Sequence, residues 1–176
     1  RRWVQMDKNV ALDQGRGRLR VWADVHKGVP TGVWADAGLD AVKLRLGADL
    51  APLGLQHING MLGWQWQDGS HEFIGQNLRF DTDEGEHWPG GDWRVNVRSD
   101  NARSGVVQAE RLDLEALAQV AQRLPLPESV RNDMAKLRPR GDVRQLRLTW
   151  ALGDNAQDPP HYTAQGRVEK LHLAHD

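Results

Sequence analysis

The chain has 176 residues, a formal net charge of −1 and no cysteine. This length fits one domain with a substantial core, the balanced charge argues against a dedicated nucleic-acid binder, and the lack of cysteine excludes disulfides and thiolate zinc sites. No apolar run approaches the roughly 20 residues that a membrane-crossing helix needs, and no signal peptide is visible. Because the chain starts at Arg1 without a methionine, we expect it to be a piece of a longer protein.

The first part of the chain predicts strands with one apolar face. Arg18–Val25 alternates between apolar and polar residues, as a half-buried strand does. A turn is expected at Gly28–Pro30, and one or two further strands are expected over Thr31–Leu46. The segment Ala48–Leu55 contains proline and glycine and is predicted to be irregular.

A hairpin is predicted in the next segment. Ile58–Gln67 places its large apolar residues on one face, and Asp68-Gly69 is a strong signal for a two-residue hairpin turn. The return strand is expected to carry Ile74, Leu78 and Phe80 together on one side.

The meander is predicted to continue beyond the polar turn region Thr82–Gly91. A strand begins at Trp93–Val97, the chain turns at Asp100-Asn101, and Val106–Glu110 returns. Consecutive strands joined by such short turns are antiparallel neighbours.

The hydrophobic period then changes to that of a helix. Leu114–Leu124 follows helical spacing, Asp113 is the expected N-cap, and Pro125 is expected to end the helix. A second short stripe covers Val130–Leu137 and ends before Pro139.

Two strands, Val143–Leu152 and Tyr162–Leu173, are predicted to close the chain around a polar loop. The predicted fold is therefore mainly β: a curved antiparallel sheet with two short helices inserted before the last strands. A parallel, doubly wound sheet is excluded.

Two polar groups invite a functional interpretation. Acidic residues cluster at 81–87, but the spacing fails the calcium-loop pattern, and a solvated turn is the favoured interpretation over a metal site. Arg16, Arg18 and Arg20 share a strand face with Trp22, which suits either a solvated outer face or a stacking surface for nucleic acid; the neutral total charge favours the former. We identify no catalytic residues, no metal ligands and no cofactor motif.

The eight tryptophans are the remaining signal. Trp64, Trp66, Trp93 and Trp150 fall on the apolar side of predicted strands. Core filling is the favoured interpretation, since tryptophan buries a large area, and an apolar trough for a lipid is the alternative.

Five segments, in the same order, resemble the YhdP-type family of large AsmA-like proteins from Gram-negative envelopes. They are Leu53–Trp64, Asn77–Phe80, the helical segment Leu112–Leu124 that ends in Leu-Pro, the joint Leu137–Trp150 with its Leu-x-Pro-x-Gly start, and Tyr162–Ala164.

The resemblance implies a single AsmA-like β domain over residues 1–176, cut from a longer envelope protein. It implies a periplasmic body anchored to the inner membrane by a segment outside this chain, and a curved, taco-shaped groove. Such proteins are thought to conduct phospholipid between inner and outer membranes and to maintain the outer-membrane barrier. The family has no established catalytic residues.

Three hypotheses follow. The first is a lipid-groove module whose partners are phospholipid acyl chains and the neighbouring β modules of the same full-length chain. The second is a structural or interaction module with a closed core and no ligand, and the third is a carbohydrate-active enzyme, which the clustering of the acids in one turn disfavours. Under the first hypothesis the groove residues are expected to be Leu19, Val21, Val25, Leu44, Leu62, Trp64, Trp66, Leu78, Phe80, Trp93, Val95, Leu146, Leu148 and Trp150.

Overall fold

A computed structural model describes residues 11–98, 104–124, 126, 128–151 and 161–174. These residues form one open antiparallel sheet of nine strands and two helices. The prediction of a mainly β, antiparallel fold with two helices before the last strands is confirmed.

Every neighbouring strand pair is antiparallel, and eight strands follow one another in the order β1-β2-β3-β4-β6-β7-β8-β9, with β5 beside β4. The strands are β1 (Ala11–His26), β2 (Val29–Arg45), β3 (Leu53–Gln67), β4 (Ser70–Thr82), β5 (His87–Trp88), β6 (Trp93–Arg98), β7 (Ser104–Asp113), β8 (Arg140–Ala151) and β9 (His161–His172).

Several strands differ from their predicted bounds. Strand β1 begins at Ala11, before the predicted Arg18, and β5 lies inside the predicted turn region Thr82–Gly91. Strand β2 is one long element that ends at Arg45, and β3 begins at Leu53, inside the stretch expected to be irregular. Leu53 and Leu55 pair with Leu44 and Val42 of β2, and they are buried in the same cluster. Packing at these leucines therefore outweighs the turn tendency of Pro52 and of Gly54, which lies between them.

Two-residue turns join β1 to β2 and β3 to β4. At Asp68 and Gly69 the φ angles are 48° and 74°, which confirms the hairpin predicted there. The β1–β2 turn has the same form at Lys27 and Gly28, one residue before its predicted position. The predicted turn at Asp100-Asn101, Pro125 and most of the loop before β9 lie outside the described residues.

Cross-strand register assigns the side chains to two faces. Arg18, Arg20 and Trp22 of β1 pair with Gly38, Asp36 and Trp34 of β2 and lie on what we call the polar face. The opposite face, which we call the apolar face, carries three rows of paired residues across the middle of the sheet. These rows are Trp66–His71–Val97–Gly105–Trp150–Tyr162, Trp64–Phe73–Val95–Val107–Leu148–Ala164, and Leu62–Gly75–Trp93–Ala109–Leu146.

Irregular residues interrupt the alternation inside the strands. Ala41, Asn77, Gln145 and Lys170 have φ angles between 47° and 53° within β2, β4, β8 and β9. Bulges of this kind bend a strand and increase its twist, and the arrangement is consistent with a curved sheet.

One of these irregularities overturns a predicted face. Ile74 was expected beside Leu78 and Phe80, but it pairs with Gly63 and Arg94 on the polar face. The register of β4 against β3 shifts by one residue around Asn77, so that side chains before and after it change parity.

The helical segment begins at the predicted cap. Helix α1 (Leu114–Val120) starts where the Asp113 carboxylate accepts the Ala116 backbone N–H at 3.0 Å, which confirms that residue as the N-cap. The helix tightens into a 3-10 turn (Ala121–Arg123), and α2 (Glu128–Leu137) follows. In the described part of the chain, neither helix combines the length and the apolar character that crossing a membrane requires.

Candidate functional site

One end of the apolar face is covered by the helical segment. Val42, Leu53 and Leu55 of the sheet pack with Val120 of α1, and each is at most 5% exposed. Partly buried hydrophobic residues surround this cluster: Leu39, Leu44, Ile58, Phe80 and Leu124. We call this region the capped end.

One ion pair and one stacked aromatic pair lie at the capped end. The Arg123 guanidinium lies 2.6 Å from the Glu84 carboxylate in the turn after β4. Phe80 stacks on buried Trp88 with ring centroids 5.7 Å apart. The helical segment thus contacts β2 and β3 through Val120 and the turn after β4 through Arg123.

The Arg111–Asp142 pair joins β7 to β8 next to α1. The guanidinium donates to the Asp142 carboxylate at 2.8 Å. This hydrogen bond lowers the pKa of Asp142 and raises that of Arg111, and desolvation opposes both shifts. The charged form of each partner is therefore stabilised in the folded chain.

The rest of the apolar face is covered by neither helix. The large side chains of the three rows are all half-buried or exposed, and Phe73 and Tyr162 are 42% and 64% exposed. We call this region the open half. Its large apolar side chains are Leu62, Trp64, Trp66, Phe73, Trp93, Val95, Val97, Val107, Leu146, Leu148, Trp150 and Tyr162.

The structure brings most of the predicted groove residues together in the open half. Eight of them lie in its three rows: Leu62, Trp64, Trp66, Trp93, Val95, Leu146, Leu148 and Trp150. On β1, Leu19 and Val21 pair with Ala37 and Ala35 of the same face and are 50% and 60% exposed. Val25 is also 60% exposed and follows an irregularity in the register.

Three predicted groove residues lie elsewhere. Leu44 and Phe80 pack against the buried cluster of the capped end, and Leu78 is only 8% exposed. These side chains contribute to the core of the chain. The open half instead includes Phe73 and Val107, whose faces became clear only from the strand register.

An aromatic cluster occupies the open half near the β3–β4 turn. The ring of Trp64 lies 4.7 Å from that of Trp66 and stacks on Phe73 at 6.2 Å, with an interplanar angle of 5°. Its indole N–H donates to His71 Nδ1 at 3.3 Å. The polar atom of Trp64 is thus satisfied locally, and the rings present carbon to the open half.

Two other tryptophans of the open half face glycines. Trp93 pairs with Gly75 and Trp150 pairs with Gly105 across neighbouring strands. A methyl group placed on either glycine would overlap the indole ring opposite it. The sequence gives no sign of these pairs, because they depend on register.

The polar groups singled out in the sequence lie on the other face or in turns. Arg16, Arg18 and Arg20 are exposed on the polar face. In the acidic segment, Asp81 lies 2.6 Å from His87 Nδ1. The residues between them form a tight turn, and across the described ranges no three such side chains are grouped as a metal site would require.

Comparison with models of known protein families identifies the family of this chain. A family model described as "YhdP protein" matches residues 2–176. The chain belongs to the YhdP family. Membership confirms the resemblance seen in the five sequence segments. Comparison with curated proteins and with solved structures gives no match.

Proposed function

We propose that this YhdP-family chain is a non-enzymatic lipid-groove module. In this proposal it belongs to a periplasmic protein anchored to the inner membrane by a segment outside this chain. That protein moves phospholipid between the inner and outer membranes and so maintains the outer-membrane barrier. The bound partners are the acyl chains, which lie along the open half.

The observation that carries the proposal is the contrast between the two faces of the open half. Leu62, Val95 and Leu148 stand on one face, whereas their polar-face neighbours include Arg94, Asn96 and Arg147. Exposing an acyl chain to water costs about 0.8 kcal/mol per methylene, or roughly 12 kcal/mol for about sixteen carbons. A continuous apolar face reduces that cost without any reaction.

The sheet edges support a second part of the proposal, that neighbouring β modules of the same full-length chain continue the sheet. The outermost strands β1 and β9 each pair on one side with β2 and β8. Nearly all described side chains of both strands are exposed. A long edge of this kind invites strand pairing, and a neighbouring module would satisfy it.

The absence of catalysis is part of the proposal, and the position of the acids supports it. Hydrolysis of a glycoside needs two carboxyl groups facing each other across a cleft at roughly 5 to 9 Å. Asp81 is instead paired with His87, and Glu84 is paired with Arg123. The Asp81–His87 pair closes a turn, and the Glu84–Arg123 pair links that turn to the helical segment.

The capped end favours the alternative, a structural or protein-interaction module with a closed core and no ligand. There the apolar face is filled by its own side chains, with Val42, Leu55 and Val120 almost fully buried. If the open half were covered in the same way by another protein segment, no lipid would enter.

A photocrosslinking pair separates these two functions. The photoreactive amino acid p-benzoylphenylalanine replaces Val107 on the apolar face or its neighbour Gln108 on the polar face, in the protein as its host cell produces it. We expect a phospholipid adduct at Val107 and little at Gln108. A protein adduct at Val107 without lipid would favour the interaction module, and equal lipid labelling at both positions would contradict a one-sided groove.

A further inference from the structure

Two tryptophans of the open half have indole rings that lie close to the neighbouring strand, because each is opposite a glycine in that strand. In β4, the space above Gly75 is occupied by the Trp93 indole, at Nε1, Cε2 and Cζ2. In β7, the space above Gly105 is occupied by Cζ2 and Cη2 of Trp150. Each indole therefore fills the place of its neighbour's missing side chain.

The position of these rings determines how much room remains above the sheet. If residue 75 carried a side chain, the Trp93 ring would have to move away from the strand and into the open half. An indole that lies over glycine contributes its large apolar surface close to the strand and takes up less of the volume above the sheet than a displaced ring would. Both tryptophans remain half-buried in this arrangement.

We propose that Gly75 and Gly105 set the depth of the groove, because each leaves space in which the indole of Trp93 or Trp150 lies close to the strand. We call each of these glycine–tryptophan pairs a seat. The two indoles then form the surface on which a hydrocarbon chain lies. This inference rests on the proposed function and names the residues that contact the acyl chain. An indole is rigid and loses little conformational entropy on contact, so it is well suited to an apolar floor.

The chain contains a matched control on its other face. Gly63 of β3 pairs with Trp34 of β2, and a methyl group there would meet ring atoms Cζ3, Cε3 and Cη2. Gly63 and Trp34 lie on the polar face. A Gly63→Ala substitution therefore creates the same kind of crowding as Gly75→Ala without altering the groove.

The test uses p-benzoylphenylalanine at Val107, which lies between the two seats. Val107 pairs with Val95 next to Trp93 and with Leu148 next to Trp150. Phospholipid adducts are measured in cells for the otherwise unchanged protein, for Gly75→Ala and for Gly63→Ala, with protein amount and thermal unfolding measured alongside. We expect Gly75→Ala to lower the adduct several-fold and Gly63→Ala to leave it near the starting level.

A double variant covers the case in which Gly75→Ala fails to fold. Replacing Trp93 by leucine removes the ring that the new methyl group would displace, so adding Gly75→Ala to Trp93→Leu should cause little further loss of adduct. A double variant that gives nearly as much adduct as Trp93→Leu alone supports the seat. If Gly75→Ala lowers the adduct as much in the Trp93→Leu protein as it does in the unchanged protein, the seat is overturned.

The remaining outcomes distinguish this inference from the proposed function. If the unchanged protein gives a lipid adduct and Gly75→Ala gives as much, the groove exists but the glycine seat does not control it. If Gly63→Ala lowers the adduct as much as Gly75→Ala, general destabilisation explains both, and the seat is overturned. If the unchanged protein gives no lipid adduct, the proposed function fails and the inference fails with it.

Discussion

The capped end and the open half are parts of the same apolar face, yet only one of them is a core. At the capped end, Leu55 of β3 meets Val120 and becomes buried, whereas Leu62 of the same strand lies outside that cluster and is half-buried among the described residues. Alternation makes a strand apolar on one side along its whole length. The position of the helical segment then decides which part of that side becomes core.

Irregular backbone lies at the border between the two regions in β4 and in β8. Asn77 separates Gly75 of the open half from Leu78, and Gln145 separates Leu146 from buried Val143. Such bulges change the direction of a strand and reset its alternation. In β4 and β8 the change of alternation therefore coincides with the division between the capped end and the open half.

Truncation of a leucine in each region gives the largest expected difference. Leu55→Ala should lower the free energy of unfolding by roughly 2–5 kcal/mol, because it leaves a cavity in the buried cluster. Leu148→Ala removes the same atoms from a half-buried site and should cost about 1 kcal/mol, since less surface was removed from water. Urea unfolding measures both. Equal losses would mean that the open half is packed as a core.

Loss of the helix cap should weaken only the capped end. Asp113→Ala leaves the Ala116 N–H without its acceptor and should cost about 1 kcal/mol. Hydrogen exchange should quicken in α1 and much less in β6. Asp113→Asn is the matched control, because asparagine also caps helices well, and it should behave almost like the unchanged chain. Faster exchange throughout the sheet would contradict two separable regions.

The smallest effect is expected at the Arg111–Asp142 pair, and it depends on pH. The pKa of Asp142 is lowered in the folded chain, so the carboxylate stabilises folding above its unfolded pKa of about 3.9. This contribution is lost as the pH falls through the lowered folded-state value. Because Arg111 is partly exposed, we expect Asp142→Asn to cost at most about 1 kcal/mol at pH 7.

Urea unfolding of Asp142→Asn and the unchanged chain between pH 7 and pH 3 checks the sign of this effect. The stability difference should be constant down to about pH 4 and should shrink below it. Glu110→Gln, at a neighbouring exposed carboxylate, should show a smaller difference throughout. A difference for Asp142→Asn that grows on acidification would contradict the lowered pKa.

Local patterns were sufficient to predict the type of fold. Alternation identified β1, the Asp68-Gly69 turn fixed a hairpin, and Asp113 marked the start of α1. These features depend on residues that are close in sequence. The parity of Ile74 could not be obtained in this way, because an asparagine with positive φ inside β4 has no distinctive sequence signal.

The composition of the open half was only partly predictable for a related reason. Parity placed Trp64 and Leu148 on the apolar face, but it could not tell that Leu44 and Phe80 would lie near the helical segment. That outcome depends on where α1 docks after many intervening residues. The seats at Gly75 and Gly105 depend on cross-strand register and were equally hidden.

The most direct test of the account is the amount of phospholipid that copurifies with the full-length protein carrying Leu62→Lys or Met61→Lys. The two residues are adjacent in β3, both are half-buried, and they lie on opposite faces. The account predicts that lysine at position 62 strongly reduces bound phospholipid, because it puts a charge among the acyl chains, and that lysine at position 61 leaves it nearly unchanged. Equal binding by the two variants would contradict a groove on the apolar face.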